Sequence, residues 1–210
     1  MPISCPVFPP VTDLDGETAL AALLRGVRAC TACAAHLPLG PRPVVHGHAT
    51  ARLLIISQAP GTKVHETGIS FNDRSGDRLR DWLGLDRAKF YDADRVAIMG
   101  MGFCYPGRLD QGGDRPPRPE CAALWHAKLR AQWPRIGLTL LVGSYAIDHY
   151  LADTRRPTMT ATVAAWRDYL PDYLPMPHPS WRTVAWERKN PWFGTDLLPE
   201  ARARVAALTE

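Results

Sequence analysis

Apolar positions along this chain follow two alternating rhythms. Short runs of consecutive apolar residues fall at Arg52–Ser57, Arg95–Met99, Leu138–Val142 and, more weakly, Tyr173–Met176. Runs of that length predict strands buried on both faces, as in a parallel sheet. Between them the spacing changes to three and four. Leu20, Leu23, Leu24 and Val27 share one face of a helix predicted over Thr18–Arg28. Ser75 can cap a helix that presents Leu79, Trp82 and Leu83 together. Pro119 suits the first turn of a helix running through Ala131, Ser144 can start another through Leu151, and Leu197–Leu208 closes the chain. Strands alternating with helices predict an α/β protein, a three-layer α/β/α arrangement around a central four-stranded parallel sheet. Residues 1–210 read as a single domain, with 1–13 as a proline-rich irregular arm. In such sheets ligands bind beyond the carboxyl ends of the strands, where Ser57, Gly100, Gly143 and His178 all fall.

Composition narrows the classes. The 210 residues are 46% hydrophobic and 22% charged, ordinary values for a globular chain. No apolar run approaches the ~20 residues of a membrane span, and Met1–Pro10 lacks the basic-then-apolar pattern of a signal peptide. A cytoplasmic monomer with no membrane partner is therefore the expectation. In that compartment cysteines stay reduced, so Cys30-Thr31-Ala32-Cys33 points to metal or redox chemistry before a disulfide. The net charge of +4 suits a polyanionic partner without demanding one.

Three groups of residues carry candidate chemistry. Ser57-Gln58-Ala59-Pro60-Gly61 runs from a strand end into a turn, where Gly61 permits close approach of a ligand and free N–H groups can face a base or phosphate. It is followed by Phe71 in a polar loop, placed to stack on a base or to anchor the loop, with Asp73 and Asp77 as the nearest carboxylates. His178-Pro179-Ser180 follows the last strand, and Pro179 holds His178 extended. Beyond it, Trp181, Arg182, Trp186, Arg188, Lys189 and Trp192 mix aromatic and cationic groups, as in a loop facing nucleic acid. The third group is Cys30, Cys33, Cys104 and Cys121, able to hold zinc or a [4Fe–4S] cluster. A thioredoxin-like role is disfavoured because Cys-x-x-Cys here closes a helix instead of opening one.

Taken in order, these fragments resemble the uracil-DNA glycosylase superfamily. The succession of Cys-x-x-Cys, a strand, Ala59-Pro60-Gly61, an aromatic loop with Arg74-Ser75-Gly76, Cys104, Cys121 and His178-Pro179-Ser180 is similar to its iron–sulfur, family 4-like branch. The Asn72–Asp77 segment is similar to family 5. The resemblance implies a [4Fe–4S] cluster on Cys30, Cys33, Cys104 and Cys121. It also implies a monofunctional glycosylase that removes uracil from DNA, since no lysine lies within the matched motifs. By the same resemblance Gln58, Ala59, Pro60, Gly61, Phe71 and Asn72 surround the base, and Ser180 grips the DNA backbone. His178 steadies the departing base and Asp73 assists catalysis, while the aromatic and cationic stretch itself nominates Trp181, Arg182, Arg188 and Lys189 for DNA contact. Two positions depart from the pattern. Gln58 stands where the iron–sulfur branch has Glu, and Gly100 stands where a base-reading Asn is expected.

Overall fold

The computed structural model describes residues 18–210, so the arm expected at 1–13 lies outside the described residues. Strands β1 (Val45–His46), β2 (Leu53–Ser57), β3 (Val96–Gly100), β4 (Leu138–Val142) and β5 (Tyr173–Met176) make one sheet in the order β1-β3-β2-β4-β5. Pairings β2–β3, β2–β4 and β4–β5 are parallel. The fifth strand corrects the expected count. β1 pairs antiparallel with the edge of β3 over two residues, Val45 with Met99 and His46 with Ile98, too short a stretch to carry any periodic signal. β2 is the central strand, and Leu53, Leu54, Ile55 and Ile56 along it are all at most 1% exposed. Pro175 sits in edge strand β5, where a missing N–H is tolerated.

Helices cover both faces of this sheet. Ala19–Arg28 is capped by the Thr18 side chain, which accepts from the Ala21 N–H, and buries Leu20, Leu24 and Val27. The helix expected to start at Ser75 runs Arg74–Leu83, and its cap is Asp73, whose Oδ1 accepts from the Gly76 N–H at 2.9 Å. Asp and Ser are nearly equal as caps, so composition alone could not separate them. The stretch expected as a continuous helix to Ala131 opens with a π-helical turn, Ala122–His126, before α-helix Ala127–Ala131. The mixed aromatic and cationic segment after His178 is a helix, Thr183–Lys189, and not a loop. Trp186 and Trp192 are half-buried there, stacking edge-on with each other and, for Trp186, with Phe193.

β2 sends its successor β3 to one side and has β4 on the other. The crevice where connections diverge is the usual place for a ligand in an open α/β sheet. The carboxyl ends of β2 and β3 lie side by side, Ser57 opposite Gly100.

Candidate active site at the carboxyl end of the sheet

A cleft of about 50 Å³ opens at that point, lined by Ser57, Ala59, Pro60 and Gly61 from the β2 end, by Ser70, Phe71, Asp73 and Ser75 from the next loop, and by Gly100 and His178. Val44 and Val64 complete its wall. The volume is far below the several hundred Å³ of a formed ligand pocket, so a whole base enters only if the walls part. A roomier cleft, about 600 Å³, lies elsewhere among Pro38, Pro106, Arg108, Arg115 and Arg118. It contains none of the candidate catalytic side chains, so size does not locate the chemistry.

Backbone necessity shapes the cleft. Phe71 has φ +54°, the left-handed region that a bulky residue rarely enters. Its carbonyl folds over the start of the Arg74–Leu83 helix, where a Cβ on Gly76 would lie 1.7 Å from that oxygen. Glycine at position 76 is therefore obligatory for this turn. Arg80 also donates to the Phe71 carbonyl, at 3.3 Å, and pairs with Asp77, so Asp77 serves the helix and not the cleft. Of the two roles open to Phe71, anchoring the loop is the one its packing displays, without removing it from the cleft wall. Phe71 is 7% exposed and meets Phe90 edge-on at 6.0 Å, joining the core on one side while lining the cleft on the other.

Asp73 and His178, distant in sequence, line the same cleft. Burial holds the His178 imidazole below the ordinary histidine range, while the Asp73 carboxylate pulls it upward, so the ring is neutral near pH 7. Its main chain is pinned as well. The N–H of Ser180 donates to the His178 carbonyl at 2.8 Å, and so does the Thr183 hydroxyl. Arg78, from the helix capped by Asp73, donates to the Ser180 carbonyl at 3.4 Å and forms an ion pair with Glu187. The two motifs are thus tied directly to each other.

Of the other sequence-nominated residues, only Gly100 lines the cleft. The Gln58 side chain packs on Gly143, whose added Cβ would sit 2.8 Å from Gln58 Nε2 and 3.3 Å from the His178 Cβ. Asn72 is turned away, its Oδ1 accepting from Arg87 at 2.8 Å. Gly100 admits no side chain at all, because a Cβ there would lie 2.4 Å from the Gly102 carbonyl oxygen. Trp181 is 77% exposed with the Arg182 guanidinium 5.5 Å from its ring centre. Arg188 and Lys189 are exposed at the end of their helix.

Sequence reasoning passed over Ser70 and Ser75 as cleft hydroxyls, and His126 behind Gly100. For His126 a signal existed: a histidine beside Trp125 and three residues before Leu129 falls on an apolar helical face.

The four cysteines meet at another pole of the molecule. Cys33, Cys104 and Cys121 are buried and Cys30 is half-buried. Burial pushes the Cys104 thiol up to about 11 and Cys121 up to about 12, and each also feels the charges of Cys33 and Cys30. Cys33, Leu37 and Cys104 form a small buried cluster of their own, apart from the main core. The Phe103 N–H donates to the Cys121 sulfur at 3.4 Å. Among the described residues no three His, Cys, Asp or Glu side chains stand close enough to share a single metal ion.

An open parallel sheet with a polar cleft over its carboxyl ends defines an α/β protein whose ligand site is built from strand-end loops. Residues 44–202 match the uracil DNA glycosylase superfamily, and the chain belongs to that superfamily. Its class is that of DNA glycosylases, acting on DNA. Among the described residues no helix is long and apolar enough to cross a membrane.

Proposed function

We propose that the protein hydrolyses the N-glycosidic bond of deoxyuridine in DNA, releasing uracil and leaving an abasic site without cutting the strand. The observation that carries this reading is the convergence of Asp73 and His178 on one cleft with Ser57–Gly61 and Phe71. The nucleotide leaves the helix first, which costs a few kcal/mol and least at a mismatch. Trp181 and Arg182, exposed and three and four residues beyond His178, would fill the gap. As the bond between sugar C1′ and base nitrogen breaks, its electron pair goes to the base. The sugar becomes cationic and the base anionic. His178, neutral, donates a hydrogen bond to the anion, worth about 3–4 kcal/mol for a well-placed donor. One carboxylate oxygen of Asp73 caps its helix, and the other faces the sugar and orients the water. Water adds hydroxide to C1′ and its proton goes to the released base, which balances the reaction.

Cys30, Cys33, Cys104 and Cys121 would hold a [4Fe–4S] cluster. The fit rests on the donor set. The four thiols lie near enough to feel one another's charge, and one sulfur accepts a backbone N–H. A zinc ion would need its sulfurs at about 2.3 Å. The cluster's contribution is to cross-link distant segments; the chemistry above uses only the protein's own side chains and water.

The bare backbone at Gly100 favours one second reading, a nucleic-acid-binding iron–sulfur protein with weak or no excision, or one acting on another deaminated base. A uracil-release assay on a synthetic oligonucleotide separates them. His178→Ala should lower single-turnover excision by about 10²–10³-fold with little change in DNA affinity, which phosphate contacts dominate. Asp73→Asn should also slow excision while the helix stays capped, because Asn caps as well as Asp. Full excision by both variants would move the chemistry to other residues. No excision by the parent protein would leave the binding protein.

A further inference from the structure

Gly100 ends β3 and lines the cleft, but its carbonyl points away, into the interior. There it accepts a hydrogen bond from His126 Nε2 at 3.1 Å. A carbonyl only accepts, so Nε2 carries the proton, and Nδ1 takes a hydrogen bond from the Tyr150 hydroxyl at 2.7 Å. The ring is 3% exposed and lies nearly parallel to Phe103, at 5.5 Å and 11°, with its plane 15° from that of Tyr150, whose ring centre is 6.0 Å away. Burial pushes the His126 pKa down to about 4, which keeps the ring neutral, and its two hydrogen-bond partners select the tautomer.

The backbone that delivers His126 is unusual. It ends the π-helical turn Ala122–His126, directly after Cys121, and such turns occur frequently at functional sites. Cys121 accepts from the Phe103 N–H, so this one segment grips the Gly100–Phe103 stretch at two points. On the opposite side the N–H groups of Met101 and Gly102 donate to the carbonyls of Ser57 and Gln58, at 2.8 and 2.9 Å. The turn after β3 is therefore held between the Ser57–Gly61 motif in front and His126 behind.

We propose that His126 is a positioning residue for the cleft, clamping the Gly100 carbonyl so that the end of β3 forms a fixed floor; this rests on the glycosylase reading above. The need arises from Gly100 itself. A side chain reaching into a site carries its own rotamer constraints, whereas a floor of bare backbone is only as well placed as the groups that hold it. Misplacement by about 1 Å can slow a reaction by about 10²-fold. Tyr150, at the end of helix Ser144–Tyr150, acts one step further back by fixing the imidazole tautomer.

The test compares His126→Phe, which keeps a ring in the stack but has no donor, with His126→Gln, which restores an N–H of similar reach. With the fold verified by its melting curve, His126→Phe should lower the single-turnover excision rate by about 10–100-fold while DNA affinity stays within about twofold. His126→Gln should recover to within about threefold of the parent protein. Hydrogen exchange at the Met101 and Gly102 amides should quicken by about tenfold in His126→Phe and not in His126→Gln. Unchanged excision in a folded His126→Phe overturns the proposal, whatever its exchange. Equal losses in both variants also overturn it, because the donor would then not be the active feature. If the parent protein releases no base, it is the glycosylase reading that falls, and exchange alone then decides the clamp: unchanged protection in His126→Phe refutes it.

Discussion

The sheet-end cleft and the cysteine pole are built on opposite principles. Around the cleft, positions are dictated by atoms that leave no room: Gly76 under the Phe71 carbonyl, Gly100 under the Gly102 carbonyl, Gly143 against Gln58 and His178. Hydrogen bonds within the chain then complete the site, from Asp73 to Gly76 and from Ser180 and Thr183 to the His178 carbonyl. Nothing foreign is needed to shape it. At the cysteine pole three thiols are buried, two of them in a small satellite cluster, and the segments that meet there come from Cys30–Cys33, Cys104 and Cys121. Buried thiols alone hold distant segments together poorly. A steric site tolerates almost no substitution but survives without a cofactor, whereas the cluster proposed for the cysteines would make their region depend on the group it binds. The stretch from Gly100 to Cys104 belongs to both, so the two poles meet in five residues.

The largest effect that separates these principles should come from Gly76→Ala. Its methyl group would occupy the position of the Phe71 carbonyl, and neither backbone can yield without breaking the helix cap or the turn. We expect a loss of at least about 3 kcal/mol in denaturant unfolding, in the range of severe overpacking. Gly194→Ala is the matched control. Nothing lies within 4 Å of its added Cβ, and it sits in the helical turn Phe193–Leu197. There alanine should be neutral or stabilise by up to about 1 kcal/mol. Parental stability in Gly76→Ala would show that the cleft is not sterically fixed.

A second effect should fall only on the other pole. Isolated without oxygen, the protein should be brown with about four irons per chain. Cys104→Ala and Cys121→Ala should lose iron and melt earlier, because the ligand closes a long loop. His178→Ala should keep both iron content and melting temperature. A colourless protein holding one zinc would replace the cluster, and parental melting in both cysteine variants would remove the structural role.

How much of this was legible in the sequence depended on how local its cause was. β4 and β5 fall where their apolar runs begin and end, since burial on both faces leaves a continuous signature. β1 was invisible because two residues carry no period and its pairing is set by β3. Asp73 and His178 were readable as chemistry because their motifs are local, yet their meeting across one cleft is a tertiary fact. Phe71 was left open between stacking on a base and anchoring its loop for the converse reason. Polar neighbours in sequence suggested a loop tip, while Phe90, reached only through the fold, buries one edge of its ring. Asn72 does not line the cleft, and its Oδ1 accepts from Arg87, a partner fifteen residues away that local sequence could not reveal.

The smallest effect concerns the cationic tail, which neither steric fit nor a ligand fixes. Arg188 and Lys189 lie exposed in the last turn of helix Thr183–Lys189, whose Glu187 pairs with Arg78 of helix Arg74–Leu83. In the function proposed above, these two cations would meet phosphates flanking the extruded nucleotide. Replacing both by Ala should weaken DNA binding modestly and uniformly across sequences. The slope of log affinity against log salt should flatten by roughly one unit for each phosphate that is no longer neutralised. Single-turnover excision at saturating enzyme should stay near the parental rate, because phosphate contacts position the duplex and do not touch the breaking bond. An unchanged salt slope would show that this end of the helix faces away from the DNA. A slower chemical step would mean that the helix also shapes the cleft, through the Arg78 link to Ser180.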